Sequence, residues 1–313
     1  MRHIFRVLNP IKFLFVILLT GLSFNNFAAL DKQLLRQLDI QRGLFADSYQ
    51  SFEVDDQPII YLLEENTTAI TRGVAVMVAD SGIPIAGQEG FATLAKELNK
   101  IGWVTILLPA PDAGFLPILE PESIADNDPT TASTTPLDNK TTTETQLGAQ
   151  SSATTPININ KMAVTTIDDQ AFIKHEQQLV SLLQAVIEKS KEYPGFFLVI
   201  SKGTSAAWLS KIYAEKQLGT PDAFVAISPY WPDRKHNQRL PQWIASTPMP
   251  VLDLYSNSDN GWAKNTVSQR EITAVKSLKL QYRQRELLGF NLNKQQNAYI
   301  SKEIYGWVSH MGW

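Results

Sequence analysis

The chain has no cysteine. That excludes a disulfide framework, a thiolate nucleophile, cysteine-based zinc sites and an acylated N-terminal cysteine. Small eukaryotic secreted modules tend to be disulfide-dense, so an exported chain without cysteine suits a bacterial periplasm better. Histidine is scarce too. Of four, only His175, His236 and His310 lie beyond the N-terminal segment. There is no H-E-x-x-H and no histidine cluster, so no metal is expected. The glycine-rich pattern does not match a phosphate loop, and no cofactor is expected. Net charge is −3 with a pI near 5.9, and no long basic run or basic-aromatic stripe occurs. Nucleic acid is therefore excluded as a partner, because neutralising phosphates takes clustered lysine and arginine.

Long apolar runs are also missing. The longest, FLFVILLTGLSF at 13–24, has twelve residues, against ~20 for a bilayer span. Arg2, Arg6 and Lys12 precede it, and NNFAA with Ala28 and Ala29 follows. Residues 1–29 thus read as a secretory signal peptide, with a periplasmic mature chain and no stable membrane span after cleavage. Asn26 or Phe27 at the −3 place makes the cleavage site imperfect, and an uncleaved anchor is the alternative.

Residues 30–313 suffice for one large α/β domain with a substantial core. LDKQLLRQLDIQRGL (30–44) has helical spacing, and SFEVDDQPIIYLLEENTT (51–68) reads as an edge hairpin. GVAVMVAD (73–80) is a continuous apolar run closed by Asp80, Ser81 and Gly82, as expected of a parallel strand buried on both faces. A helix over 87–102 follows, with Gly102 placed like a C-cap, then the strand WVTILLP (103–109). This is a βαβ unit. From 120 to 160 the chain is Thr, Ser, Asp, Asn, Gln and Pro, with almost nothing to bury, and is expected to be a disordered surface insertion. Further on, a helix (168–193), a strand opening the segment 196–215, strands in 222–232, 248–260 (with an acidic loop at its end) and 277–289, and a closing amphipathic helix (298–310) are expected. The fold class is α/β: a three-layer, α/β-hydrolase-like arrangement with a mostly parallel central sheet between helices.

FFLVISKGTSAAWLSKIYAE (196–215) has the strand–turn–helix layout of a nucleophile elbow. On G-x-S-x-G, Ser201 takes the first glycine place, Gly203 the nucleophile place and Ser205 the second glycine place. In this topology the acid and the histidine follow the nucleophile along the chain. Asp259, in the loop SNSDN after VLDLY, fills the acid place, although without a partner histidine a turn or helix N-cap role is the commoner explanation of an Asp in such a loop. The histidine place, GFNLNKQQN (289–297), holds no histidine. His175 is expected on a helix surface, His236 in a solvated loop, and His310 on or past the last helix. A triad of Ser205, Asp259 and His310 would need the tail to fold back. Ser81 and Gly82 are candidates for an oxyanion-type turn. Tyr230, Trp231, Trp243 and Trp262 either line a cleft or pack under loops.

GVAVMVAD, KIGWVTILLP, ISKGTSAAWL, PVLDLY, YRQREL and IYGWV together resemble domain-of-unknown-function family 3530, an exported α/β-hydrolase-like family of Gram-negative bacteria. The resemblance spans roughly 50–310 apart from the insertion. It implies an exported α/β-hydrolase-like domain and transfers no catalytic role to any residue. Two readings follow. The first is an α/β-hydrolase fold without an intact Ser-His-Asp triad, binding a small molecule or an envelope protein. The second is an esterase-like serine hydrolase using a displaced Ser and His with Asp259.

Overall fold

A computed structural model describes residues 40, 49–55, 57–85, 90–111, 167–288 and 294–312. The signal segment, the insertion at 120–160 and all but Ile40 of the helix expected at 30–44 lie outside them.

Among the described residues eight strands form one sheet: β1 (Gln50–Val54), β2 (Gln57–Glu64), β3 (Gly73–Val78), β4 (Trp103–Leu108), β5 (Phe196–Lys202), β6 (Ala223–Ile227), β7 (Val251–Ser256) and β8 (Tyr282–Leu287). Their order is β1-β2-β4-β3-β5-β6-β7-β8. β1 and β2 form an antiparallel hairpin with β1 at the edge, and β2 meets β4 antiparallel; the other pairs are parallel. The parallel centre is where the sequence loses alternation. GVAVMV, WVTILL and AFVAI are apolar almost throughout because helices cover both faces. Crossover connections then bring the C-terminal ends of β3, β5, β6 and β7 to one rim.

Among the described residues the helices are α1 (Ala92–Asn99), α2 (Asp169–Ser190), α3 (Gly203–Ala214), α4 (Arg234–Asn237), α5 (Leu240–Ser246), α6 (Gly261–Lys276) and α7 (Lys294–His310). Leu94, Leu98, Ile300, Ile304 and Trp307 of α1 and α7 pack with Met77, Ile200 and Val225 on one face of the sheet. Leu179, Leu183, Trp208 and Ile212 of α2 and α3 pack with Val76, Val199 and Phe224 on the other. α1 starts later than its periodicity suggests, and its C-cap is Lys100; Gly102 lies two residues beyond, at φ +99°. Trp231 and Trp243 are buried in the second layer, so these two aromatics are core.

The motifs PVLDLY and YRQREL meet around one buried ion pair. Arg270 of α6 is fully buried; its Nε and Nη2 donate to Asp253 Oδ2 and Oδ1 at 2.7 and 3.1 Å. Its Nη1 donates to Ala263 O and Thr266 Oγ1 at 3.1 and 2.6 Å. Tyr282 Oη and Gln284 Nε2 of β8 donate to Asp253 Oδ2 at 2.6 and 3.0 Å. Desolvation alone would depress the arginine, but the adjacent Asp253 holds its pKa above the usual value. The network fastens β7, β8 and α6 together. Removing one partner strands a buried charge, so Arg270→Met is expected to cost about 3–5 kcal/mol of unfolding free energy. Urea denaturation of wild type and variant measures it.

Candidate functional site

β5 ends at Lys202 in extended conformation (φ −125°, ψ 151°), and the chain turns at Gly203 with φ +60° into α3. This is the sharp strand-to-helix turn expected of an elbow. A left-handed residue is needed there, and glycine adopts it without a Cβ penalty.

A second reason for glycine comes from β3. Asp80 begins a tight turn in which Ile83 N donates to Asp80 O at 3.0 Å and Gly82 has φ +85°, the left-handed third position of a type II turn. The turn aims the Asp80 side chain across the sheet at the start of α3. Asp80 Oδ1 accepts from Thr204 N at 2.8 Å, Thr204 Oγ1 at 2.6 Å and Ser81 N at 2.9 Å. A Cβ built on Gly203 would lie 2.1 Å from Asp80 Oδ2. The carboxylate therefore occupies the space into which a side chain at 203 would project. In an active elbow, the amide after the nucleophile and an amide from the first strand–helix loop hold the oxyanion. Here the corresponding amides, Thr204 and Ser81, both hold Asp80 Oδ1. Burial pushes the Asp80 carboxyl above its ordinary pKa, against the opposing hydrogen bonds from Thr204 and Ser81 and the charge of Lys202.

Asp80 forms one wall of a pocket of about 170 Å³ at the rim, shared with Lys202, Tyr230, Asp259, Asn260 and Gln296. Tyr230 is positioned by its backbone N–H, which donates to Gly203 O at 3.3 Å. Its phenol is held protonated: burial first, and then the nearby Asp80 charge, raise its pKa against a hydrogen bond with Asn260. Asp259 Oδ2 accepts from Ser256 N at 2.8 Å, so this carboxylate both closes its turn and faces the pocket. Asn260 caps α6 through Ala263 N at 2.9 Å. The floor is Ile227 and Leu287, the last residues of β6 and β8.

The other residues singled out in the sequence are dispersed. Ser201 is buried in β5, its Oγ donating to Val78 O at 3.2 Å. Ser205 is buried within the first turn of α3; its Oγ has no hydrogen-bond partner among the described residues, so it does not cap the helix. His310 lies beside Leu280, Tyr282 and Arg283 at the N-terminal end of β8, whereas Asp259 follows the C-terminal end of β7. Ser205, Asp259 and His310 are not brought together. Two expectations about histidine are corrected. His175 is not a surface residue: it is buried with its ring 4.2 Å from that of Trp208, because the apolar face of α2 extends over α3. His236 is not solvated: it is buried in α4, stacked on Phe172 at 4.2 Å, with Nδ1 3.3 Å from Asp233 Oδ2. Of the loop expected to hold a histidine, 289–293 lies outside the described residues, and Gln296 on α7 reaches the pocket. Of the proposed oxyanion turn, Ser81 supplies an N–H to an anion, and Gly82 shapes the turn.

Asp80 carries no chemical role in the sequence reading, where it only closes a buried strand. An aspartate closing a fully apolar strand, opposite an elbow whose nucleophile place is glycine, was the available signal. Among the described residues no cluster of metal-ligating side chains occurs, and no helix is long and apolar enough to cross a membrane.

Sheet order, elbow and rim pocket define an α/β-hydrolase-fold protein. Solved structures agree. Est1E from Butyrivibrio proteoclasticus superposes with a TM-score of 0.52 at 8% identity, over 84% of this chain and 98% of that one. The same protein with ferulic acid bound gives 0.51 at 8%, over 83% and 98%. At such identities the likeness concerns the fold alone. No curated protein matches by sequence. The chain belongs to the family described as Protein of unknown function (DUF3530), whose model matches residues 23–310.

If Asp80 and a side chain at 203 compete for one space, their substitutions must couple. Gly203→Ser is expected to destabilise by about 2–4 kcal/mol, from left-handed strain of roughly 1–2 kcal/mol plus displacement of the carboxylate. Asp80→Ala combined with Gly203→Ser should cost less than the sum of the single changes by at least about 1 kcal/mol. A double-mutant cycle in urea measures this. Additive costs would contradict the shared-space geometry.

Proposed function

We propose that this chain is a binding protein of the cell envelope, built on the α/β-hydrolase fold and lacking serine-hydrolase chemistry. One observation carries the reading: the Thr204 and Ser81 amides are occupied by the chain's own Asp80 carboxylate. Acyl transfer needs a nucleophile, a base that takes its proton, and free donors for the developing oxyanion. Gly203 offers no nucleophile, the loop after β8 contains no histidine, and the donors are engaged. What remains at the rim is a polar pocket at the place where open α/β sheets bind ligands.

The envelope assignment rests on the basic and apolar N-terminal segment and the lack of cysteine. It implies a mature chain beginning just after Ala28 or Ala29, which N-terminal sequencing of periplasmic protein would reveal. The alternative, an esterase using Ser205 or Ser201 with Asp259 and a displaced histidine, draws on the fold of its neighbours. Against it, both hydroxyls are buried and His310 stands at the opposite end of the strands. A fluorophosphonate probe decides between them. No serine should be labelled, and short-chain aryl esters should not be turned over above background. Stoichiometric labelling of a single serine would sink the binding reading.

A further inference from the structure

The two oxygens of Asp80 are in different situations. Oδ1 takes all three hydrogen bonds that the carboxylate receives from described residues: Thr204 N, Thr204 Oγ1 and Ser81 N. Oδ2 receives none from them, and it is the atom lying over Gly203, 2.1 Å from where a Cβ would be; Asp80 and Gly203 both line the rim pocket. The elbow thus presents a rigid acceptor oxygen close to where an active enzyme presents its nucleophilic hydroxyl. An ionised carboxylate oxygen in a partly desolvated site favours a charged donor.

The rest of the pocket supports the same sign of ligand. Asp259 contributes a second carboxylate, with one of its oxygens turned to Ser256 N. Among the described lining residues Lys202, at the end of β5, is the one cation, beside the two carboxylates of Asp80 and Asp259. Ser228, Ser256, Ser258, Asn260 and Gln296 add neutral hydrogen-bonding groups, and Ile227 and Leu287 an apolar floor. The phenol of Tyr230 stays neutral and adds no charge.

Building on the binding reading above, we propose that the rim pocket takes a small ligand bearing a protonated amine, and that Asp80 Oδ2 is the acceptor that anchors it. The ammonium would donate to Oδ2, while polar groups of the ligand meet the surrounding hydroxyls and amides. Glycine at 203 is then a requirement of binding: any side chain there would displace the anchoring oxygen. The titratable and charged groups around Asp80 are Lys202 on β5, Tyr230 after β6 and, across the pocket, Asp259 after β7. An ammonium binds the ionised carboxylate. Affinity should therefore rise with pH through the elevated titration of Asp80, over the range in which the amine stays protonated.

The test uses the full mature chain with ethanolamine, its uncharged analogue ethylene glycol, and acetate, followed by calorimetry and by the shift in Tm. Ethanolamine should bind and stabilise, and the other two should not. Asp80→Asn can keep an oxygen on the two amides but replaces Oδ2 with an N–H donor, and should weaken ethanolamine about tenfold or more. Lys202→Met removes the competing cation and should tighten binding, a gain that misfolding cannot imitate. The proposal fails if ethylene glycol binds as well as ethanolamine, if acetate is preferred, if no ethanolamine binds, or if the folded Asp80→Asn variant binds unchanged. The fluorophosphonate result is independent. A labelled serine removes the binding reading itself, whereas absent amine binding with no labelling removes only the ligand class.

Discussion

The contact between Asp80 and Thr204, at the start of α3, is the constraint on which the rest of the site depends. It ties the end of β3 to the start of α3 beside it, and it satisfies one of the N–H groups that a helix start leaves without partners. A carboxylate at that position also meets the positive end of the helix dipole. The same contact dictates glycine at 203, because no Cβ fits beside Oδ2. It sets the character of the pocket too: the Thr204 and Ser81 amides are engaged by Oδ1, and the second oxygen accepts from no described residue.

The surroundings keep this arrangement fixed. The elbow sits on strands buried on both faces, so β3 and β5 hold their register from Gly73↔Phe196 to Val78↔Ser201, directly beneath the site. α3 is buried nearly throughout, and its small Ala206 and Ala207 join the core against the sheet. On the far side, the Asp253–Arg270 pair and its bonds to Tyr282 and Gln284 lock β7, β8 and α6 together. That lock positions the loop carrying Asp259 and Asn260. The α/β-hydrolase scaffold thus carries a rigid rim with a pocket lined from the ends of β5, β6 and β8 and the loop after β7.

Much of this was legible in one dimension. Continuous apolar runs such as GVAVMV and WVTILL identify strands covered on both faces, and the strand–turn–helix of ISKGTSAAWL marks the elbow. Gly203 at the nucleophile place and the missing histidine after β8 are likewise visible in the letters. The histidine environments were not. His175 and His236 lie in polar stretches, and only the packing of α2 and α4 over Trp208 and Phe172 buries them. The partners of PVLDLY and YRQREL were also hidden, since α6 supplies the arginine and its own pattern gives no sign that Arg270 points inward.

Asp80 shows the division most clearly. By itself the sequence determined an α/β fold of this class and placed an aspartate, a serine and a glycine at the end of a buried strand, because residue period and turn chemistry are local properties. Only the tertiary structure decided that this aspartate reaches a turn more than a hundred residues away and accepts from the amide and hydroxyl of Thr204. Side-chain direction at a strand's end depends on the turn that follows it and on the strand alongside, and neither is fixed until β3 and β5 pair. Gly203 reads in sequence as a missing serine. In the folded protein it is the space that Asp80 fills.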